Sequence, residues 1–374
     1  MTPLSPLPTH SGQRFVLNAA ALVLVLGGVH LARDILIPVL LAVFIANLTS
    51  PIIRFMHERK VPMVVATTIA LLVDIVVITG IGTVLVTSVN SLYERLPFYT
   101  ERVTEAFGDV VTWLNAKGVD VQANEILEVF DPSQFVDLFG SLLTGTLTAI
   151  SSVGLILLIL AFVLYEIIDF RTKLKVLMAS RWSEEESENP FILAAHDIQR
   201  YLGVKAAASL ATGSLTWALL AVLGVDFALL WGVCAFIFNF IPNIGSFIAI
   251  APAIVVALLV QGPTTAIIVA VVSFIINFVI GNVIEPKAMG EALGLSPVIV
   301  LLSMVFWGWL LGPFGAIISV PLTMLVKIAA SHSDDTRWLS ILLRPPPKNP
   351  KRPMKRLSQA LQRIPKDPPK ASAP

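Results

Sequence analysis

Nine stretches of this sequence, fourteen to thirty residues long, each contain at most one aspartate, glutamate, lysine or arginine. They are Phe15–Leu31, Ile35–Ile53, Val61–Asn90, Ser141–Tyr165, Ala206–Gly224, Phe227–Phe240, Ile244–Val260, Thr264–Ile280 and Pro297–Val326. A bilayer core about 30 Å thick takes roughly 20 helical residues. Backbone groups in lipid must be satisfied internally, and these stretches lack the alternation of barrel strands, so they are read as helices. Composition agrees: 56% of the 374 residues are hydrophobic and 14% charged, against roughly 45–50% and about 25% in soluble domains. A water-soluble surface cannot be built from so few charges, and a disordered or collagen-like chain is excluded too. The fold class is all-α, a polytopic transmembrane helical protein.

The first stretch follows a single positive charge, Arg14, and no small-x-small cleavage site follows it; it is read as a retained anchor. Orientation follows from lysine and arginine. The turn after the second stretch holds Arg54, Arg59 and Lys60; the segment 169–205 holds six basic residues and the chain beyond Val326 eleven, whereas 91–140 holds three against nine acids. The expectation is therefore a cytoplasmic arm (1–14), the first transmembrane helices (15–90), an outer, periplasmic helical segment (91–140) and a further transmembrane helix (141–168). A cytoplasmic amphipathic segment (169–205), a transmembrane core (206–330) and a disordered basic cytoplasmic tail (331–374) follow. Both termini are expected in the cytoplasm. The stretch 344–374 has nine prolines, nine basic residues and one acid; it cannot bury enough surface to fold and should be drawn to anionic lipid.

Two stretches have awkward lengths. Pro297–Val326 would be about 45 Å as one helix and is interrupted by Gly308, Gly312, Pro313 and Gly315. Phe227–Val260 hinges at Ile241-Pro242-Asn243-Ile244-Gly245. Proline removes an amide donor and glycine weakens a helix, and paired broken segments point to a transporter's binding site. Re-entrant hairpins and ordinary tight turns between spans both fit the spacing.

Several chemistries have no foothold. There is no P-loop pattern and no Gly-x-Ser-x-Gly; His57-Glu58 is followed by Arg59-Lys60 rather than by a second metal-ligand histidine. The single cysteine, Cys234, allows no intrachain disulfide. No catalytic residue, metal site or cofactor is expected, and the tail's charge alone does not make a nucleic-acid binder.

What remains are polar groups in apolar surroundings. Asp74 lies near the middle of its stretch, where a carboxylate must face a cavity, have a partner or be protonated; an ion or proton site and an inter-helix hydrogen bond both fit. Ser273, Asn277, Gly281 and Glu285 recur every four residues on one helix face, with Asn282 beside them. That stripe suits a solute pathway or tight helix packing. Asn239 and Asn243 flank Pro242, where amides on a broken backbone could bond a small polyol or satisfy the turn. Trp307 and Trp309 offer a stacking platform or interfacial anchors. The pathway candidates are thus Asn239, Pro242, Asn243, Gly245, Ser273, Asn277, Asn282, Trp307, Gly312, Pro313 and Gly315, and the ion or proton candidates Asp74 and Glu285.

Three signatures stand in order along the chain: Phe238-Asn239-Phe240-Ile241-Pro242-Asn243-Ile244-Gly245-Ser246; Asn282-Val283-Ile284-Glu285-Pro286-Lys287-Ala288-Met289-Gly290 followed by Leu293-Gly294-Leu295-Ser296; and Phe306-Trp307-Gly308-Trp309-Leu310-Leu311-Gly312-Pro313 followed by Ser319-Val320-Pro321-Leu322-Thr323. Together they resemble the AI-2E family of bacterial permeases, from about Phe15 to Ala330. The resemblance implies about eight membrane-embedded segments in the inner membrane, self-association as a homo-oligomer, and export of autoinducer-2, a small hydroxylated quorum-sensing molecule. Some members of the family look instead like sodium or lithium/proton antiporters. A third alternative is a non-transporting membrane scaffold whose outer segment and tail bind partners.

Overall fold

A computed structural model of the chain describes residues 11–117, 153–179, 190–242, 244–289, 294–331, 336, 340 and 342–343. Asn243, residues 118–140 of the outer segment and nearly all of the basic tail lie outside the described residues. The elements are α1 (Ser11–Leu31), α2 (Arg33–Glu58), α3 (Met63–Ala116), α4 (Val153–Ala179), α5 (Pro190–Val222), α6 (Ala228–Phe238), α7 (Gly245–Gln261) and α8 (Pro263–Val279). A π-turn (Ile280–Ile284), α9 (Glu285–Met289), α10 (Pro297–Ile317) and α11 (Ser319–Ser331) complete them. There is no strand among the described residues. Five helices are long and apolar enough to cross a membrane: α2, α3, α5, α8 with its continuation to Met289, and α10.

Alanine and glycine set how closely the helices approach. Ala42 and Ala46 of α2, Ala66 and Ala70 of α3 and Leu160 and Leu164 of α4 share one buried cluster, so three helices meet through a small-residue seam. Between α5 and α6 the approach is tighter. A Cβ on Gly213 would lie 2.8 Å from the Gly232 carbonyl oxygen, and one on Gly232 would lie 2.6 Å from Trp217 Cβ. In lipid there is little hydrophobic force between helices, so such contacts carry the association.

α3 is a single helix of 54 residues. At 1.5 Å per residue it is about 80 Å long, far more than a bilayer core. In its second half Leu92 and Tyr99 are buried with Val225, Leu230 and Trp231, while Arg95 (3.0 Å) and Tyr99 (2.9 Å) both donate to Asp226.

Both broken stretches are hairpins, and they enter from opposite ends. Gln261, at the end of α7, donates to the Gly224 carbonyl just before α6 (2.6 Å). The α6–α7 pair therefore leaves and returns at one end of the molecule. Lys327, near the end of α11, donates to the Gly294 carbonyl just before α10 (2.8 Å). Gly294's neighbour Leu295 is buried with Tyr201, Leu202 and Met289, at the other end of α5. Two hairpins of opposite entry thus stand beside the long helices of the bundle. Helix α5 touches both hairpins as well as α8, α9 and α2.

Candidate functional site

Four of the buried polar side chains line α5. Lys205, Ser209, Thr212 and Thr216 follow at i, i+4, i+7 and i+11, all buried, which puts them in one narrow stripe. Helix α8 lies antiparallel beside it. Gln261 reaches Gly224 at one end, and at the other Lys205 Nζ donates to both Glu285 oxygens, at 2.8 and 3.1 Å. Counting up from that pair at 1.5 Å per residue, Thr212 stands about 10 Å above Lys205 and Asn277 about 12 Å above Glu285. Thr216 and Ser273 follow at about 17 and 18 Å. Two polar stripes therefore share the same layers of the bundle.

The tip of the first hairpin plugs into this column. Asn239 Nδ2 donates to Ser209 Oγ at 3.0 Å, and Ser246 Oγ donates to Asn239 Oδ1 at 3.0 Å. Gly245 is pressed onto the incoming limb so closely that a Cβ would overlap the Phe238 carbonyl oxygen. Phe240 makes an edge contact with Phe44 of α2.

Among the described residues, three polar atoms in the column have no hydrogen-bond partner: Thr212 Oγ1, Ser273 Oγ and Asn277 Oδ1. Asn277 Nδ2, by contrast, donates to the Ser273 carbonyl at 2.9 Å. Ser273 is 0% and Thr212 1% exposed. A buried group left unsatisfied costs about 1–3 kcal/mol.

Of the other sequence candidates, Asn282 is exposed on the π-turn and Pro242 is half-buried at the first hairpin's tip. Trp307 Nε1 donates to Thr323 Oγ1 (2.9 Å), tying the limbs of the second hairpin. Gly312, at φ +72° and ψ −161°, makes that hairpin's break, with Pro313 next to it; a Cβ on Gly315 would overlap the Trp307 carbonyl oxygen. Trp309 is not beside Trp307's partner but stacks on His30 of α1, centroids 5.9 Å apart, and His30 Nδ1 donates to the Leu310 carbonyl at 3.0 Å. Asp74 stands apart, between α2 and α3. It is 8% exposed, Thr49 Oγ1 donates to its Oδ1 at 2.8 Å, and its Oδ2 has no partner among the described residues.

The sequence reading missed Lys205, Ser209, Thr212 and Thr216. Lys205 counts there as the last basic residue of a cytoplasmic segment, yet α5 runs unbroken from Pro190 and carries it inside. The hydroxyls show the same spacing that exposes Ser273 and Asn277, and the stripe rule applied from Lys205 onward finds them.

Long apolar helices packed with two hairpins around buried polar side chains are the architecture of a multi-pass helical membrane protein. The AI-2E transporter family matches residues 20–334 of the chain. The chain is 36% identical over 338 residues to the AI-2 transport protein TqsA of Escherichia coli K12, covering 90% of this chain and 97% of that protein. It is 34% identical over 347 residues to the putative transport protein YhhT of the same organism (91% and 97%). A putative transport protein of Haemophilus influenzae is 36% identical over 334 residues (88% and 96%). The chain belongs to the AI-2E transporter family.

Proposed function

We propose that the chain exports a small hydroxylated solute of the autoinducer-2 kind across the bacterial inner membrane, using the column between α5 and α8 as its path. The observation that carries this reading is the set of partnerless buried atoms, Thr212 Oγ1, Ser273 Oγ and Asn277 Oδ1; a polyol supplies the hydrogen bonds they lack. The relative named as an AI-2 transport protein supports the choice of solute. The basic residues Arg54, Arg59, Lys60, Arg200, Lys287 and Lys327 belong to the end where Lys205 meets Glu285, which supports a cytoplasmic assignment for that end.

The test is efflux of autoinducer-2 from preloaded proteoliposomes, with and without a proton gradient. Thr212→Val and Ser273→Ala each delete an unsatisfied atom. A merely structural column becomes no less stable for losing one. A pathway loses solute contacts worth about 1.4 kcal/mol, or roughly tenfold in rate. Unchanged thermal stability with efflux down about tenfold is the expected outcome; unchanged efflux in both variants sinks the assignment.

A cation/proton antiporter is the second reading, and Asp74 favours it: one carboxylate oxygen is held by Thr49, the other has no partner. Asp74→Asn would then abolish sodium- or lithium-dependent proton movement in everted vesicles.

A further inference from the structure

At the α9 end of the column lies a buried ion pair that the sequence does not reveal. Lys205 and Glu285 form a two-pronged ion pair whose side chains are only 7% and 13% exposed. Directly beneath it, Tyr201, Leu202, Met289, Leu295 and Met324 form a buried apolar layer. The two partners stand on unlike supports. Lys205 is fixed in α5, a helix of 33 residues. Glu285 opens α9, five residues long, which follows a π-turn of five. A π-turn is a local misfit in a helix and is found preferentially where function needs one. Arg200 gives α9 a second tie to α5, through the Ala288 carbonyl at 3.2 Å.

From this geometry we infer that the Lys205–Glu285 pair is a latch that shuts the polar column at the α9 end, and that the column opens there when α9 swings on the π-turn and the pair separates. A buried ion pair suits a latch. Mutual attraction in a low-dielectric setting holds it firmly, while each separated charge is strongly solvated once water reaches it. Opening is therefore coupled to wetting of the column's mouth. The motion is local, because the π-turn lets α9 tilt without carrying α8 along.

The latch rests on the reading of the column as a path, so its test uses a readout that involves no autoinducer-2. Cys234, the single cysteine, is replaced by alanine, and Thr212→Cys becomes the reporter. A charged, membrane-impermeant methanethiosulfonate is added from the Lys205 face of oriented vesicles. With the pair intact, modification is slow. In Lys205→Ala and in Glu285→Gln it rises at least tenfold, and in the charge-exchanged double variant Lys205→Glu/Glu285→Lys it falls back towards the slow rate. Glu285→Gln keeps the shape and volume of the side chain, so it serves where the alanine variant fails to fold.

Modification that is fast with the pair intact overturns the latch and leaves the solute assignment standing. So does modification that Glu285→Gln does not accelerate. Latch-dependent modification in a protein that moves no autoinducer-2 overturns the solute and supports the latch.

Discussion

The two hairpins look alike in the sequence and differ in how they are held. Each return limb begins on a glycine pressed against a carbonyl of the incoming limb: Gly245 on Phe238, Gly315 on Trp307. Beyond that shared device they diverge. The first tip is wired to α5 through Asn239, Ser209 and Ser246, so it is part of the wall of the polar column. The second tip has open space around its break, with nothing within 4 Å of a Cβ on Gly312 and Pro313 exposed. What fixes it comes from elsewhere: His30 on the Leu310 carbonyl and Trp307 on Thr323. A Pro/Gly interruption thus specifies that a helix turns back, and the side chains around it specify what the turn belongs to.

The shared device is the place to break both hairpins. Gly245→Ala and Gly315→Ala force a methyl into backbone that cannot yield, and overpacking of this kind costs about 3 kcal/mol or more. Both variants should lower the thermal unfolding temperature in detergent by the largest margin of any single change at the hairpins. A small effect at Gly315 alone would mean that the second tip is free to relax.

Gly312→Ala separates space from backbone. The space is open, but φ +72° with ψ −161° is a region that side chains essentially never occupy, and holding one there costs on the order of 1–3 kcal/mol. Destabilisation by about 2 kcal/mol is expected in the same unfolding measurement. No loss would show that the second tip adopts another turn without penalty, which the first, clamped by Asn239, could not do.

How much of this was legible in the sequence follows from the range of each interaction. Pro242, Gly245, Gly312, Pro313 and Gly315 announce the breaks because proline and glycine act on their own backbone. Ser273 and Asn277 announce a polar face because helical spacing is local. The choice between re-entry and a plain turn was not legible, since it depends on Gln261 meeting Gly224 and Lys327 meeting Gly294. Lys205 was invisible for the same reason: its partner Glu285 is 80 residues away, and a lysine near a span end reads as an orientation signal. Asp74's partner, Thr49, sits on another helix. Pro286 marks a disturbance there, since it offers no amide to the Asn282 carbonyl, but does not say that the helix answers with a π-turn.

The smallest expected effects sharpen the contrast most. Asn239→Ala strips the first tip of two hydrogen bonds and leaves the buried Ser209 hydroxyl without this partner, which is worth about 1–2 kcal/mol. Trp307→Phe removes one bond, to Thr323, from the second tip and keeps most of the ring, for about 1 kcal/mol or less. Stability alone barely separates these two variants; transport should. Asn239 lies against the α5 stripe, so its loss shifts Ser209 and the column wall, and efflux should fall several-fold further than stability accounts for. Trp307 ties the limbs of its own hairpin, so efflux from its variant should track the folded fraction. Efflux measured per folded protein decides between these outcomes: equal losses in both variants would mean that the two tips serve the path alike, and that the wiring to α5 is scaffolding rather than part of the conduit.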